Sequence, residues 1–457
     1  MTETTYDIVI LGGGSGGYAA ALRAAELGKT VALVEKDKVG GTCLHRGCVP
    51  TKALLHAAEV ADYARESASF GIRAQLDGVD IDALRAYREG IVAKKYKGLE
   101  GLISARGITV VPGEGRLIAG PAVQVGDDVL HGTDVVLATG SYSRSLPGLE
   151  IGGRIIASEQ ALVLDEVPQR VVILGGGVIG VEFASAWRSF GAEVTIVEAL
   201  PHLVPNEDEA LSKGLERAFR RRGIAFTLGV RFAQATQTED AVAITLEDGT
   251  TLEADHLLVA VGRGPATAGL GYEEAGVVLD RGFVRTDEHL RTDADHVWAV
   301  GDIVPGLQLA HRGFAQGIFV AEKIAGLSPV AVPEAQIPRV TYSHPEVASV
   351  GLTEAKAVDA FGAERVKAYE FNLAGNAKSE IIGTSGVVKV VRQADGPVLG
   401  VHMIGDRVGE LITEGQLAVG WEAHPEDIAP FIHAHPTQSE ALGEAFLALA
   451  GKPLHAL

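Results

Sequence analysis

Apolar residues in this 457-residue chain come in short, β-branched runs that break off at glycine. The first run, DIVIL (residues 7–11), leads into GGGSGG, then YAAALRAAELG, then TVALVE. That order reads as strand, turn, helix and strand, a complete βαβ unit. The pattern returns over residues 170–198 as RVVIL, GGGVIG, VEFASAWRSFG and AEVTIVE, so one structural device occurs twice. Strand-like segments also end in VVLATGS (135–141) and LLVAVGRGP (257–265), closing off the two regions, and VWAVGDI (297–303) reads as a return strand. From about residue 340 the character changes: VTYSHPEVASVG and the strand GVVKVV (386–391) come without a glycine-rich turn of this kind. A separate α+β domain with an interface role is expected there. The 57 glycines cluster at turns behind apolar runs, the punctuation of an α/β chain.

Composition narrows the function. With 47% hydrophobic residues the chain has ample material for buried cores. It has no run near the ~18 apolar residues of a membrane span, and MTETT passes into YDIVIL without a signal pattern, so a cytoplasmic location is expected. A formal charge of −19 disfavours a nucleic-acid partner, because phosphate binding needs a basic surface. The only two cysteines, Cys43 and Cys48, fall within GGTCLHRGCVPTK. In a reducing compartment such a pair reads as catalytic or metal-binding, and two thiolates alone make a poor zinc site, so no metal is expected.

Glycines let a backbone approach a pyrophosphate whose charge sits at a positive helix N-terminus. Gly12, Gly14 and Gly17 fit that task, as do Gly175, Gly177 and Gly180. Glu35 and Glu198 each stand eighteen residues beyond the last glycine of their turn, Gly17 and Gly180, and each can accept from a ribose diol. Two bound dinucleotides are implied. A carboxylate at Glu198 would repel a 2′-phosphate, and no arginine follows it until Arg217, which favours NAD over NADP. A bound flavin relaying electrons to a diffusible nicotinamide is the economical pairing. Gly140 and Gly262, where the two regions close, are counted with the cofactor-binding residues.

Cysteines five apart in an unbroken helix are too distant to bridge, so pairing requires distorted backbone, which Gly47 can supply. Pro50 is tolerated in a first helical turn, and TKALLHAAEVADYA continues well, placing Cys48 near a helix N-terminus where the dipole favours thiolate.

GGTCLHRGCVPTK, the paired turns and HAHPTQSE (433–440) together resemble the flavoprotein disulfide reductase family essentially end to end. The resemblance implies two Rossmann-like dinucleotide-binding domains plus a C-terminal α+β dimerisation domain. It implies FAD at the first turn, NAD(P) at the second, a redox-active Cys43–Cys48 disulfide against the flavin, and a homodimer. The expected division is an FAD-binding part over 1–149, an NAD-binding domain over 150–270, a second FAD-binding part over 271–339 and the dimerisation domain over 340–457. His435 and Glu440 resemble the family's acid-base dyad, which serves the disulfide of the opposite subunit, and a histidine poised near neutrality suits thiol chemistry. Asp302 resembles the contact to the ribityl chain, Lys52 and Glu182 an ion pair beside the flavin, and Ala310 the start of a helix facing it. His433 is left as shaping the loop. The implied reaction oxidises a protein-bound dihydrolipoyl group at the expense of NAD⁺, with Cys43 attacked by substrate and Cys48 nearer the flavin. The implied partners are the lipoyl-bearing acyltransferase or carrier subunits of 2-oxoacid dehydrogenase or glycine cleavage complexes. Rival readings are a mycothione- or glutathione-type reductase and a non-catalytic redox sensor. His45, Arg46 and Gln438 depart from residues common in relatives, which leaves details of the thiol substrate open.

Overall fold

The strand Glu3–Leu11, buried along its last four residues, is the centre of a seven-stranded sheet. A computed structural model describes residues 2–331 and 333–455 and divides the chain into two compact units. The first comprises residues up to Leu54 with Asp80–Arg144 and Gly262–Glu334. Its sheet runs in the order Thr109–Pro112, Val31–Glu35, Glu3–Leu11, Asp128–Leu137, Ala122–Val125 and Gly115–Ile118, with Val297–Ala299 added beside Asp128–Leu137. Glu3–Leu11, Val31–Glu35, Thr109–Pro112, the second half of Asp128–Leu137 and Val297–Ala299 are all parallel, so their carboxyl ends share one edge. The helix Ser15–Glu26 covers this sheet and is itself crossed by the helix Ala310–Ile324. Gly317 permits the crossing, since a Cβ there would meet the Gly16 carbonyl oxygen at 2.3 Å.

The second unit comprises Leu55–Val79, Ser145–Val261 and the chain from Ala335. Its parallel sheet has the order Ala225–Leu228, Glu193–Glu198, Arg170–Leu174, His256–Val259 and Ile155–Ile156. A three-stranded antiparallel sheet, Phe232–Gln237, Val242–Leu246 and Thr251–Ala254, shares a core with it: Val242, Ile244 and Leu246 pack with Val172, Leu174 and Val197. A five-stranded antiparallel sheet of Arg339–Thr341, Glu346–Gly351, Val398–Gly405, Val387–Gln393 and Val366–Asn372 forms the C-terminal part. The helices Val408–Gly420 and Glu440–Leu449 bury Ile412, Leu442, Ala445 and Phe446 with that sheet's Val388, Val390 and Met403.

The mixed α/β class with two Rossmann-type sheets and a distinct C-terminal α+β sheet is the architecture the glycine-punctuated pattern predicts. One long helix, Ile81–Ala105, was not legible from the pattern. Only Arg88 and Ile103 are buried along it, so it has almost no apolar stripe to read. Its start is local chemistry all the same: the Asp80 side chain accepts from the Ala83 N–H at 3.0 Å, an N-cap. Leu55–Val79 joins the second unit for a polar reason. The Asp62 carboxylate accepts from Arg65 Nη1 at 2.6 Å, Ser189 Oγ at 2.6 Å and Arg222 Nη2 at 3.1 Å, tying this stretch to the helix Val178–Phe190.

Candidate active site

The two glycine turns share one backbone design at their first and last glycines. Gly12 and Gly175 have φ of +105° and +106°, a backbone that side chains rarely adopt. A Cβ on Gly17 would lie 1.8 Å from the Gly12 carbonyl oxygen, and one on Gly180 would lie 1.9 Å from that of Gly175. These glycines serve the turn's own packing. Gly14 and Gly177 differ: a Cβ on either would meet nothing within 4 Å. They face open space at the N-termini of Ser15–Glu26 and Val178–Phe190, where an approaching pyrophosphate gains from backbone N–H groups and the helix dipole.

The acids repeat the symmetry. Glu35 accepts from the Gly13 N–H at 2.7 Å and the Asp37 N–H at 2.9 Å; Glu198 accepts from the Gly176 N–H at 2.6 Å and the Leu200 N–H at 2.8 Å. Each carboxylate is thus locked beside its turn, a fixed negative charge at the rim of the cradle. The donor and acceptor set of both turns fits a dinucleotide.

Within the first unit, the carboxyl edge of the parallel strands gathers the other expected residues. Leu11 leads to the turn, Glu35 ends its strand, Leu137 leads to Gly140, and Ala299 leads to Gly301–Ile303, which holds Asp302. Ligands of parallel α/β sheets lie at this edge. Asp302 accepts from Ser141 Oγ at 2.5 Å, and Ser141 in turn receives Arg263 Nε at 2.7 Å. Ser141 and Arg263, not singled out from sequence, stand on the short antiparallel pair Ser141–Ser143 and Arg263–Pro265, flanked by Gly140 and Gly262. Ala310 is the first residue of the helix Ala310–Ile324.

Cys43 lies in the short helix Gly41–His45, and Cys48 is the first residue of the 19-residue helix Cys48–Glu66. The intervening turn brings the thiols together: a hydrogen bond with Cys48, burial and the Cys48 charge push the Cys43 thiol well up, against a downward pull from the Lys52 ammonium. Gly47 acts through space rather than a left-handed backbone, since a Cβ there would press on the Thr42 carbonyl oxygen at 3.0 Å. Its own carbonyl accepts from Thr51 N–H at 3.0 Å and Thr51 Oγ1 at 2.6 Å, opening the long helix. In the single chain Cys48 is exposed and Cys43 half-buried, the exposure suited to a sulphur that a bound cofactor covers. Tyr18, on the helix after the first turn, also belongs to this site: burial and the charge of Cys43 push its hydroxyl up to about 12. Its signal in the sequence is no more than its place directly after GGGSGG. His45 pairs through Nε2 with the Val39 carbonyl at 2.9 Å and sets its ring edge-on to Tyr96. Arg46 pairs with Asp37 at 3.1 Å.

In the second unit His435 Nδ1 and Glu440 Oε1 are 2.9 Å apart. Burial pushes the Glu440 carboxyl up, but the Thr437 N–H at 2.8 Å and the His435 ring outweigh it and leave the group below the usual carboxylate range. The His435 side chain is 73% exposed, so one nitrogen is oriented by Glu440 while the rest of the ring remains accessible. Gln438, the polar departure in this loop, donates from Nε2 to the Asp406 carbonyl at 2.8 Å. Glu182 is buried, with Oε1 accepting from the Tyr342 N–H at 2.9 Å.

Two dinucleotide cradles and a vicinal thiol pair beside the first define a class: an oxidoreductase that couples a dithiol–disulfide exchange to a pyridine nucleotide. Residues 6–317 match the pyridine nucleotide-disulphide oxidoreductase family and residues 337–446 match its dimerisation domain; the chain belongs to this family. It is 41% identical over 474 aligned residues to the dihydrolipoyl dehydrogenase of Bacillus subtilis (strain 168), covering 99% of each chain. It is 39% identical to leghemoglobin reductase of Vigna unguiculata, covering 98% of this chain and 88% of that one. Among solved structures, LpdA from Mycobacterium tuberculosis superposes with a TM-score of 0.90 at 28% identity, covering 98% of this chain and 100% of that one. The cofactors are FAD and NAD(H), and the dimerisation domain supports a homodimer. Among the described residues no helix is long and apolar enough to cross a membrane.

Proposed function

We propose that the chain oxidises protein-bound dihydrolipoyl groups to the lipoyl disulfide and reduces NAD⁺, the reaction of a dihydrolipoyl dehydrogenase. The observation that carries this reading is the Cys43–Cys48 pair, thiol hydrogen-bonded to thiol at the start of a long helix, in a unit whose glycine cradle fits a dinucleotide. Relatives named dihydrolipoyl dehydrogenase, at 37–41% identity over nearly the whole chain, support the substrate.

In the oxidised enzyme Cys43 and Cys48 are joined as a disulfide. His435, oriented by Glu440, takes the proton of one substrate thiol; it serves the cysteine pair of the partner subunit in the homodimer. The substrate thiolate attacks Cys43, forming a mixed disulfide and releasing Cys48 as thiolate, which the N-terminus of its helix favours. The second substrate thiol then closes the lipoyl disulfide and returns Cys43 as a thiol, so substrate loses two electrons and the cysteine pair gains them. Bound FAD supplies the two-electron chemistry that links the cysteine pair to NAD⁺. Lys52 holds positive charge beside the sulphurs throughout, and Glu198 holds negative charge where a 2′-phosphate would otherwise fit, which selects NAD⁺. Natural substrates on this reading are lipoyl-bearing acyltransferase or carrier subunits, and the enzyme works in the cytoplasm.

The test assays the purified yellow holoenzyme with dihydrolipoamide plus NAD⁺, and separately with oxidised glutathione or mycothione plus NADPH. NADH formation in the first assay is the expected result. Turnover confined to the second, or absent from both, overturns the proposal.

A further inference from the structure

Two residues before His435 stands a second histidine with its own carboxylate. His433 Nε2 and Glu414 Oε1 are 2.8 Å apart, and the histidine side chain is only 14% exposed. Glu414 comes from the helix Val408–Gly420, whereas Glu440 opens the helix Glu440–Leu449. The ring sits hard against the second turn of the helix Glu440–Leu449: a Cβ on Gly443 would lie 2.6 Å from His433 Nδ1. His433 is therefore wedged between two helices and wired to one of them.

We propose that His433, ion-paired with Glu414, is a positioning residue of the His435–Glu440 dyad: it seats the loop that carries His435 and holds a positive charge towards Glu440. The inference rests on reading His435 as the base. The surroundings favour an imidazolium. The Glu414 hydrogen bond raises the pKa of His433 most, burial opposes it, and the charges of Glu414 and Glu440 and the Phe431 backbone act the same way as the first. The effect is mutual, because the His433 charge is among those that lower Glu440. Of the other charged groups on neighbouring elements, Glu426 pairs with Arg392, Asp427 accepts from the His424 N–H and Glu444 pairs with His455, while Glu410, on the same helix as Glu414, acts on Glu346. The rest of the loop is fastened by uncharged bonds, Asn376 Nδ2 to the Thr437 carbonyl at 2.9 Å and Gln438 to Asp406. His433 alone of these anchors brings charge to the dyad. His433 stands two residues from His435 in the same loop, so its positive charge opposes the one that His435 gains on taking a proton from substrate.

Two variants separate charge from packing. Glu414→Gln keeps the shape and hydrogen bonding of the partner but removes the charge that holds the proton on His433; His433→Gln removes the cation itself. The holoenzymes are compared by the pH profile of kcat/KM for dihydrolipoamide, and by titrating ring-¹³C-labelled histidines in NMR spectra. Expected is an upward move of the acid limb by about half a unit to one unit, the scale of one partly screened charge nearby. That corresponds to about a 3- to 10-fold loss of kcat/KM below the midpoint, with a smaller change on the alkaline plateau. In the NMR titration the His435 midpoint rises in Glu414→Gln while that of His433 falls. An unmoved midpoint, whether rates are unchanged or uniformly lower, reduces His433 to packing and overturns the proposal. If the wild-type enzyme leaves dihydrolipoamide unoxidised, the activity reading fails, and the NMR coupling between the two imidazoles still decides this inference by itself.

Discussion

Neighbouring glycines of the second turn should fail in opposite ways when each is replaced by alanine. At Gly180 the new methyl would sit 1.9 Å from the Gly175 carbonyl oxygen, a backbone atom that cannot turn aside. Relief requires moving the turn off the helix, at a cost of about 3 kcal/mol or more. At Gly177 the methyl meets no atom within 4 Å, and the backbone at φ −76° accepts alanine. The entropy gained from a stiffer unfolded chain roughly offsets the poorer N-cap, so stability should stay within about 1 kcal/mol. The methyl then occupies the room in which a pyrophosphate approaches the helix N-terminus. Losing one charge-assisted hydrogen bond to phosphate costs about 1.5–3 kcal/mol, or about 10- to 150-fold in the Kd for NAD⁺. Thermal melts by circular dichroism and calorimetric titration with NAD⁺ report the two quantities separately. Gly177→Ala should melt like the wild type and bind NAD⁺ weakly, whereas Gly180→Ala should melt early. A Gly177→Ala enzyme that binds NAD⁺ within twofold of the wild type would show that this cradle is not where the dinucleotide lies.

Cys43→Ser should remove dithiol oxidation, by about a thousand-fold or more, while the protein stays yellow; steady-state assay and the flavin absorption band check both parts, and retained turnover would refute the relay. His435→Gln should lower dithiol oxidation by about 10²- to 10⁴-fold and leave NADH oxidation by an artificial electron acceptor near normal, which stopped-flow assays of the two half-reactions resolve. Glu346 gives a pH test of stability. Burial, followed by the charges of Asp406 and Glu410, raises its carboxyl from 4.5 to about 7, despite the Gly409 N–H that it accepts at 2.9 Å. The folded state thus binds this proton more tightly than the unfolded chain, so the contribution is complete below pH 4.5 and is lost as pH rises through 7. The loss is at most about 3 kcal/mol. Glu346→Gln should match the wild type near pH 4.5 and be the more stable protein at pH 8, as followed by calorimetric Tm; parallel pH curves for the two would contradict the assignment.

What the sequence by itself determined is everything that depends on near neighbours along the chain. The spacing of Gly12, Gly14 and Gly17, its repeat at Gly175, Gly177 and Gly180, and a glutamate eighteen residues on are consequences of one strand–turn–helix–strand unit, in which local backbone geometry sets the distances. Cys48 at a helix start was legible for the same reason, because Pro50 and the helix-forming run after it act within one turn. Tertiary structure decided the rest. The mostly exposed helix Ile81–Ala105 has too little apolar pattern to announce itself. Ser141 meets Asp302 only because parallel strands from distant parts of the first unit end on one edge. The sequence shows His433 beside His435, but Glu414 reaches it, and Glu346 comes to lie among Asp406 and Glu410, only once the C-terminal sheet and its helices have packed. Burial and charge pairing at those positions are sums over neighbours distant in sequence, and they exist only after the core has closed.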